Sequence, residues 1–241
     1  MEAVRHCYSI FANTGIIDQA TKITTMIYHE NGSTQSALSA DDLKRGMFEA
    51  LTALGEKKKV LVIPPDYTRL PSRSGELTEF AWQYLGDRLT DILPALGTHT
   101  PMTGEQIAHM FGTTPANLFR VHDWRNDVLT LGTVPADFIR DVSGGACDFT
   151  WPAQVNRLLV EGDYDLILSI GQVVPHEVVG MANYNKNIFI GTGGTEAIHK
   201  SHYIGAVYGM EKMMGHADTP VRRVFNYASE HFAGELPIVY V

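Results

Sequence analysis

The feature that most constrains this chain is a recurring pair: a short run of apolar residues with no polar alternation, then an abrupt polar cluster. Val60-Leu61-Val62-Ile63 ends at Pro64-Pro65 and is followed by Asp66-Tyr67-Thr68-Arg69. Leu166-Ile167-Leu168-Ser169-Ile170 comes before Pro175-His176-Glu177. A strand apolar on both sides must be covered on both faces, which is the situation of a parallel sheet between two layers of helices. Between these runs lie helix-like stretches. Ser39-Ala40-Asp41-Asp42 resembles a helix start, with Leu43, Met47, Leu51 and Leu54 at helical spacing and Gly55 as a stop. Leu77 to Leu89 reads as a helix, and Asp91 to Gly97 as a strand running into a loop. Thr103-Gly104-Glu105-Gln106 is a capping box, Thr114-Pro115 a helix start, and Val155 to Leu159 looks helical. Ile188-Phe189-Ile190 is a further candidate strand. The alternation predicts an α/β fold of three layers, α/β/α, with a mostly parallel sheet.

In such sheets ligands bind beyond the carboxyl ends of the strands. The clusters Asp66–Arg69, Thr98-His99-Thr100 and Pro175-His176-Glu177 each follow a predicted strand, so a carboxylate, an arginine and two histidines are expected at one edge. Arg69 offers a planar fork for a carboxylate, or a simple ion pair with Asp66. His99 and His176 can exchange protons near neutral pH, or be satisfied loop histidines. Together, two histidines on separate strand ends can address opposite faces of one carbon. His199 and His202 stand three apart, a spacing open to metal binding or to no role at all. Gly191-Thr192-Gly193-Gly194 before a helix can cradle a phosphate, although it lacks the spacing of a P-loop or dinucleotide fingerprint. On chemistry alone Lys186 is an ordinary lysine.

Composition excludes some partners. With 241 residues and a formal net charge of −8, the chain suits one large domain and offers no broad basic face for nucleic acid. Its one basic run, Lys57-Lys58-Lys59, reads as a solvated strand start. Two cysteines, Cys7 and Cys147, make no disulfide framework. The run after Arg5 is broken by Asn13-Thr14-Gly15, which is not a signal peptide, and no apolar run approaches the length of a membrane span. A cytoplasmic protein with no membrane partner is expected. Residues 1–38 form a poorly defined extension, with a turn at Glu30-Asn31-Gly32-Ser33.

Taken in order, these segments resemble the nickel-dependent lactate racemase family. The matching pieces are Asp66-Tyr67-Thr68-Arg69, Ala95-Leu96-Gly97-Thr98-His99-Thr100-Pro101-Met102-Thr103, Val121-His122-Asp123, Val155-Asn156-Arg157, Ile170-Gly171-Gln172-Val173-Val174-Pro175-His176, and Lys186 through His202. The resemblance implies a racemase or epimerase of small 2-hydroxy acids that uses a nickel pincer nucleotide. By the same resemblance, Lys186 carries the cofactor covalently, His202 ligates nickel, and Asp66 belongs to the cofactor pocket. His99 and His176 are the acid/base pair, and Arg69 grips the substrate carboxylate. Maturation enzymes that build the cofactor are implied partners.

Two departures stand out. The family usually has a glycine-rich stretch before its lysine, whereas this chain reads Gly180-Met181-Ala182-Asn183-Tyr184-Asn185-Lys186. Family enzymes also carry a C-terminal domain, whereas this chain stops in the strand-like run Leu236–Val241, so the whole is expected to be an N-terminal domain, inactive alone. Two other readings remain at this stage: a hydrolase with zinc or another metal on His99, His176 and His202, and a non-catalytic module that binds a small anion at Arg69 and the glycine loop.

Overall fold

The computed structural model describes residues 12–13 and 26–241. Most of the N-terminal extension, Cys7 included, lies outside the described residues. The turn expected at Glu30–Ser33 falls slightly later, closed by Ser36 N–H on the Ser33 carbonyl at 3.4 Å.

The first helix, α1 (Ala40–Ala53), starts where its capping box demands. Ser39 Oγ accepts from the Asp42 N–H, and the Asp42 carboxylate accepts from the Ser39 N–H. Gly55, at φ 76°, supplies the left-handed turn that lets the chain leave it. Strand β3 (Val60–Ile63) follows and is buried along its whole length. Its side chains divide by parity. Val60 and Val62 pack with Met47, Leu51, Phe80 and Leu85, while Leu61 and Ile63 pack with Trp151, Phe189 and Phe225. Strand β7 (Leu166–Ser169) repeats the division, and so does β10 (Ile238–Tyr240). Each strand thus serves two cores, as three layers require.

The main sheet is completed by β4 (Leu89–Ile92) and by β1 (Ala12–Asn13) and β2 (Met26–Ile27), in the order β2-β1-β10-β7-β3-β4. The run β10-β7-β3-β4 is parallel, and the β1 and β2 edge is antiparallel. From β3 the chain passes through α2 (Ser74–Leu85) to β4 on one side, and from β7 it ends at β10 on the other. The order therefore reverses between neighbours β3 and β7, and a crevice opens where their carboxyl ends diverge.

Helices α1 and α2 cover one face. The other carries a ribbon of β5 (Val128–Val134) and β6 (Trp151–Asn156), with α6 (Thr195–Tyr208) and α8 (Pro220–Phe232). Trp151, Phe189 and Phe225 meet at its centre, with ring centroids 5.5 to 6.3 Å apart. Smaller pieces complete the chain: α3 (Gly104–Phe111), α4 (Ala136–Val142), α5 (Leu158–Glu161), the hairpin β8 (Pro175–His176) with β9 (Gly180–Met181), and α7 (Met210–Met213).

Several expectations need correction. The stretch 155–159 is not a helix: Val155 and Asn156 end β6, and α5 begins only at Leu158. Ile188-Phe189-Ile190 is not a strand but part of a π-helical turn, Asn187–Gly191. In both cases the run is short and apolar because it is buried, and burial hides the period. The helix expected over 77–89 spans Ser74–Leu85, since Gly86, at φ 56°, ends it and leaves Leu89 to open β4. The strand expected over 91–97 is correspondingly Leu89–Ile92, and Thr114-Pro115 leads only into a single 3-10 turn, Ala116–Leu118. Among the described residues no helix is long and apolar enough to cross a membrane.

Candidate active site

The crevice between β3 and β7 is a cavity of about 190 Å³ whose wall includes Asp66, Arg69, His99, His176, Lys186 and His202. The six residues to which the resemblance assigns roles thus stand on one cavity. Asp66 follows β3, and Arg69 lies on the 3-10 turn Tyr67–Ser72. His99 follows β4, His176 ends β8, Lys186 precedes the π-turn, and His202 is on α6.

His99 and His176 are both held at Nδ1, but with their ring protons on opposite nitrogens. His99 Nδ1 lies 2.6 Å from Asp66 Oδ2, so its proton is on Nδ1 and Nε2 keeps a lone pair. Asp66 is buried, and its other oxygen accepts from Thr68 Oγ1 at 2.5 Å. At His176 the backbone N–H of Val178 donates to Nδ1 at 3.1 Å. A backbone N–H can only donate, so neutral His176 carries its proton on Nε2. The Glu177 carboxylate, 3.8 Å from Nδ1, acts there as a charge. Burial, and after it the Lys186 ammonium, pushes His176 down to about 4. In their neutral forms, therefore, His99 is a proton acceptor at Nε2 and His176 a donor there.

Arg69 is exposed at the cavity wall and makes no side-chain hydrogen bond or ion pair among the described residues. The ion pair with Asp66 does not form, because Asp66 is turned to His99 and Thr68. The guanidinium is free for an anion. Lys186 is half-buried and likewise unpartnered among the described residues. Burial first, then the Arg69 and Arg222 guanidiniums, push its ammonium down to about 8. An appreciable share is then free amine, and hence nucleophilic, at neutral pH.

His202 donates from Nδ1 to the Ile198 carbonyl at 2.6 Å, which leaves Nε2 available as a ligand. A backbone carbonyl on the second ring nitrogen is the usual support of a metal-binding histidine. His199, its partner in the His-x-x-His pair, turns instead to Trp124, with ring centroids 6.0 Å apart.

The glycine loop is closely packed. A β-carbon on Gly193 would meet the Phe189 carbonyl at 1.8 Å, and one on Gly191 would meet Ala95 at 2.5 Å. Three of the following N–H groups are already used: Thr195 on Trp124 O, Ala197 on Gln154 Oε1 and Ile198 on Gly194 O. These glycines permit close packing. His122 holds them from below, with Nε2–H on Gly193 O at 2.9 Å and Nδ1 accepting from Asn156 at 3.0 Å.

Sequence reasoning missed Gln172, Asn183 and Asn187 on the cavity wall. It also missed Arg222, buried behind it on α8. Gln172 lies inside a quoted motif and was open to discovery. Arg222 is one arginine on an amphipathic helix and gave no signal. Among the described residues no group of three or more His, Cys, Asp or Glu is placed to hold a metal ion.

Fold and crevice define an α/β domain with a cavity at the switch point of its sheet. The pattern of the lactate racemase N-terminal domain matches residues 47–215, and the chain belongs to that family. It is 27% identical over 232 residues to the lactate racemase of Thermoanaerobacterium thermosaccharolyticum, an alignment covering 87% of this chain and 49% of the relative. Among solved structures it resembles a protein of Thermotoga maritima, at 32% identity and a TM-score of 0.73 over 80% of this chain and 47% of that one. The lactate racemase apoprotein of T. thermosaccharolyticum has a TM-score of 0.59 at 26% identity, covering 80% of this chain and 46% of that one. The chain spans about half the length of these relatives.

Proposed function

We propose that this chain is the cofactor-holding half of a 2-hydroxy-acid racemase or epimerase that uses a nickel pincer nucleotide. The observation that carries the reading is one cavity holding an unpartnered amine at Lys186, a ligand nitrogen at His202, and two histidines protonated on opposite nitrogens. The residues fit the group: Lys186 is the attachment point, His202 offers nickel its free Nε2, and Asp66 supports the pocket wall through His99. When bound, the cofactor supplies reversible acceptance of a hydride from the substrate carbon.

The chain's own residues do the rest. Arg69 holds the substrate carboxylate with its two-pronged fork. His99 Nε2 takes the hydroxyl proton as the carbon becomes a planar keto acid; for the opposite enantiomer His176 serves the other side in its other tautomer, its Nε2 proton passing to solvent and Nδ1 taking one at the cost of the Val178 hydrogen bond. The keto acid can be reduced on either face, which scrambles the stereocentre. While His99 is the base, the His176 Nε2–H presents a hydrogen-bond donor to a substrate oxygen.

The zinc-hydrolase reading is disfavoured by the donors themselves. A catalytic zinc draws about three ligands from protein. No such group is assembled among the described residues, so a metal at His202 needs ligands from a non-protein group. The partners implied are a small 2-hydroxy acid, the cofactor's maturation enzymes and a further domain of the kind the longer relatives have room for.

Peptide mass spectrometry of the full-length protein co-expressed with the maturation enzymes tests the reading. A mass increment on Lys186, lost together with nickel in Lys186→Ala, is the expected result. An unmodified Lys186 in an active enzyme defeats it.

A further inference from the structure

Lys186 is presented by a loop that is intrinsically unfavourable. Asn183 and Tyr184 stand at φ 64° and 57°, a left-handed region that costs a residue with a β-carbon on the order of 1 kcal/mol. Such a pair persists only where the surroundings over-determine it. Here Asn187 Nδ2 donates to Asn183 Oδ1 at 3.0 Å and to the Ile170 carbonyl at 3.2 Å. The Tyr184 ring packs on Tyr240, with centroids 4.3 Å apart.

The third restraint is Arg222, in the first turn of α8. Its buried guanidinium donates to the Met181 and Asn183 carbonyls and to Asn185 Oδ1. Asn185 is anchored in turn, its Nδ2 donating to Asn226 and Ser229 of the same helix at 2.9 and 3.1 Å. Asn185 and Tyr184 thus point away from the cavity, and Asn183 and Ala182 line it. Of the residues that stand where the family has glycines, only Ala182 and Asn183 therefore reach the cavity wall.

Arg222 has no carboxylate partner among the described residues. Buried arginines are ordinarily paired, because an uncompensated charge away from water is costly. A neutral donor would hold the same carbonyls at less expense, so the retained charge calls for a role. The charged and titratable groups around Lys186 are Arg69, Asp66, Glu177, His99, His176 and His202 at the cavity wall, and Arg222 behind it.

We propose that Arg222 is the positioning residue for Lys186: it clamps the left-handed loop that carries the lysine and leaves an unneutralised positive charge beside the amine. The purpose of that arrangement rests on the reading of Lys186 as an attachment point, but the arrangement itself does not.

The test uses the full chain without cofactor. Lys186 is labelled with acetic anhydride across a pH series. A C–N bond forms, acetate leaves and the amine proton passes to buffer. Peptide mass spectrometry follows Lys186 against the exposed Lys58. Wild-type Lys186 should be half-reactive near pH 8. In Arg222→Met the midpoint should rise, with at least about a threefold slower reaction at neutral pH, equal to half a pH unit. Arg222→Lys keeps the charge and loses the fork. Its midpoint should stay near the wild-type value while amide exchange over residues 181–187 accelerates. Asn185→Ala should also speed exchange without moving the midpoint.

A folded Arg222→Met protein with unchanged midpoint and exchange overturns the proposal. Should that variant not fold, wild-type exchange in both Arg222→Lys and Asn185→Ala overturns it. Because the labelling needs no nucleotide, a Lys186 that never takes a cofactor refutes the proposed function and leaves this result standing.

Discussion

The two faces of the central sheet are assembled by different rules. On one, α1 and α2 lay apolar stripes across β3, β4 and β7, and the buried polar side chains of these two helices are Ser74 and Thr78, with Thr78 donating to the Ser74 carbonyl. On the other, a β-ribbon, a π-turn and two helices enclose His122, Asn156, Asn183, Asn185, Asn187, Thr192 and Arg222, all buried. The first face is held by area alone. The second adds a hydrogen-bonded polar network, which is expensive unless complete and therefore fixes one arrangement when it is. Only the second can hold a strained loop with a free amine.

The sharpest way to break this contrast is chemical. In the complete, cofactor-loaded enzyme, His99→Ala or His176→Ala should slow racemisation by about 10²- to 10⁴-fold, the usual contribution of a general acid or base. Full activity in either variant removes that histidine from the mechanism, and with it the complementary pairing of the two rings.

Next in size is packing. Trp151 is fully buried, and its Nε1–H donates to the Ala197 carbonyl at 2.9 Å. Trp151→Ala should cost about 3–5 kcal/mol for the cavity, plus about 1 for the orphaned carbonyl. Met47→Ala on the helical face should cost about 2–5 kcal/mol. Urea unfolding measures both. The difference lies elsewhere: Trp151 touches Phe189 in the turn after Lys186, so its loss should also speed amide exchange over residues 186–191. Equal disturbance of that segment by Met47→Ala would show that the faces are not separate.

The same contrast explains what the sequence disclosed. The helical face follows period and capping rules, so α1, α3 and β3 were readable within a residue or two. The site face breaks those rules locally. Val155 was mistaken for helix because a ribbon strand buried on both sides shows no alternation, and Ile188–Ile190 for a strand because a π-turn buried all round looks like one. The site was more legible than its frame. Asp66, Arg69, His99 and His176 follow strand ends, which the parallel-sheet rule places together. Lys186 and His202 lie on elements that rule does not reach, and only their order in a family pattern pointed to them. Arg222 had neither signal, since its importance lies in what it touches across 39 residues of chain.

Acid should separate the faces more gently. Burial lowers both His122 and His176 on the site face, the latter to about 4. The unfolded chain therefore binds protons first as pH falls through about 6.5, and stability declines from there, the His176 contribution ending near pH 4. On the helical face Asp42 is lowered from 3.8 to about 2, so its contribution is present above about pH 3.8 and is lost as pH falls from there to about 2. Urea midpoints between pH 7.5 and 5 should slope downward with acid, and His122→Gln and His176→Gln should each flatten the slope. An unaltered slope in both variants would show that these histidines are not held neutral by folding.

The smallest effect belongs to the helical face. Ser39 Oγ accepts from the Asp42 N–H at 3.2 Å, and Asp42 Oδ2 returns the bond to the Ser39 N–H at 3.0 Å. Ser39→Ala removes one half of this cap and should cost about 1 kcal/mol, whereas Ser39→Gly should cost only a few tenths. The loss should appear as a lower urea midpoint and go no further. Helix α1 meets the sheet through Met47, Ala50 and Leu51, and the strand residues they touch point away from the cavity. The pH midpoint for acetylation of Lys186 should therefore be the same in Ser39→Ala as in the wild type. A shifted midpoint would mean that β3 transmits strain from one core to the other, and that the amine is set by the whole sheet rather than by the network on its own side.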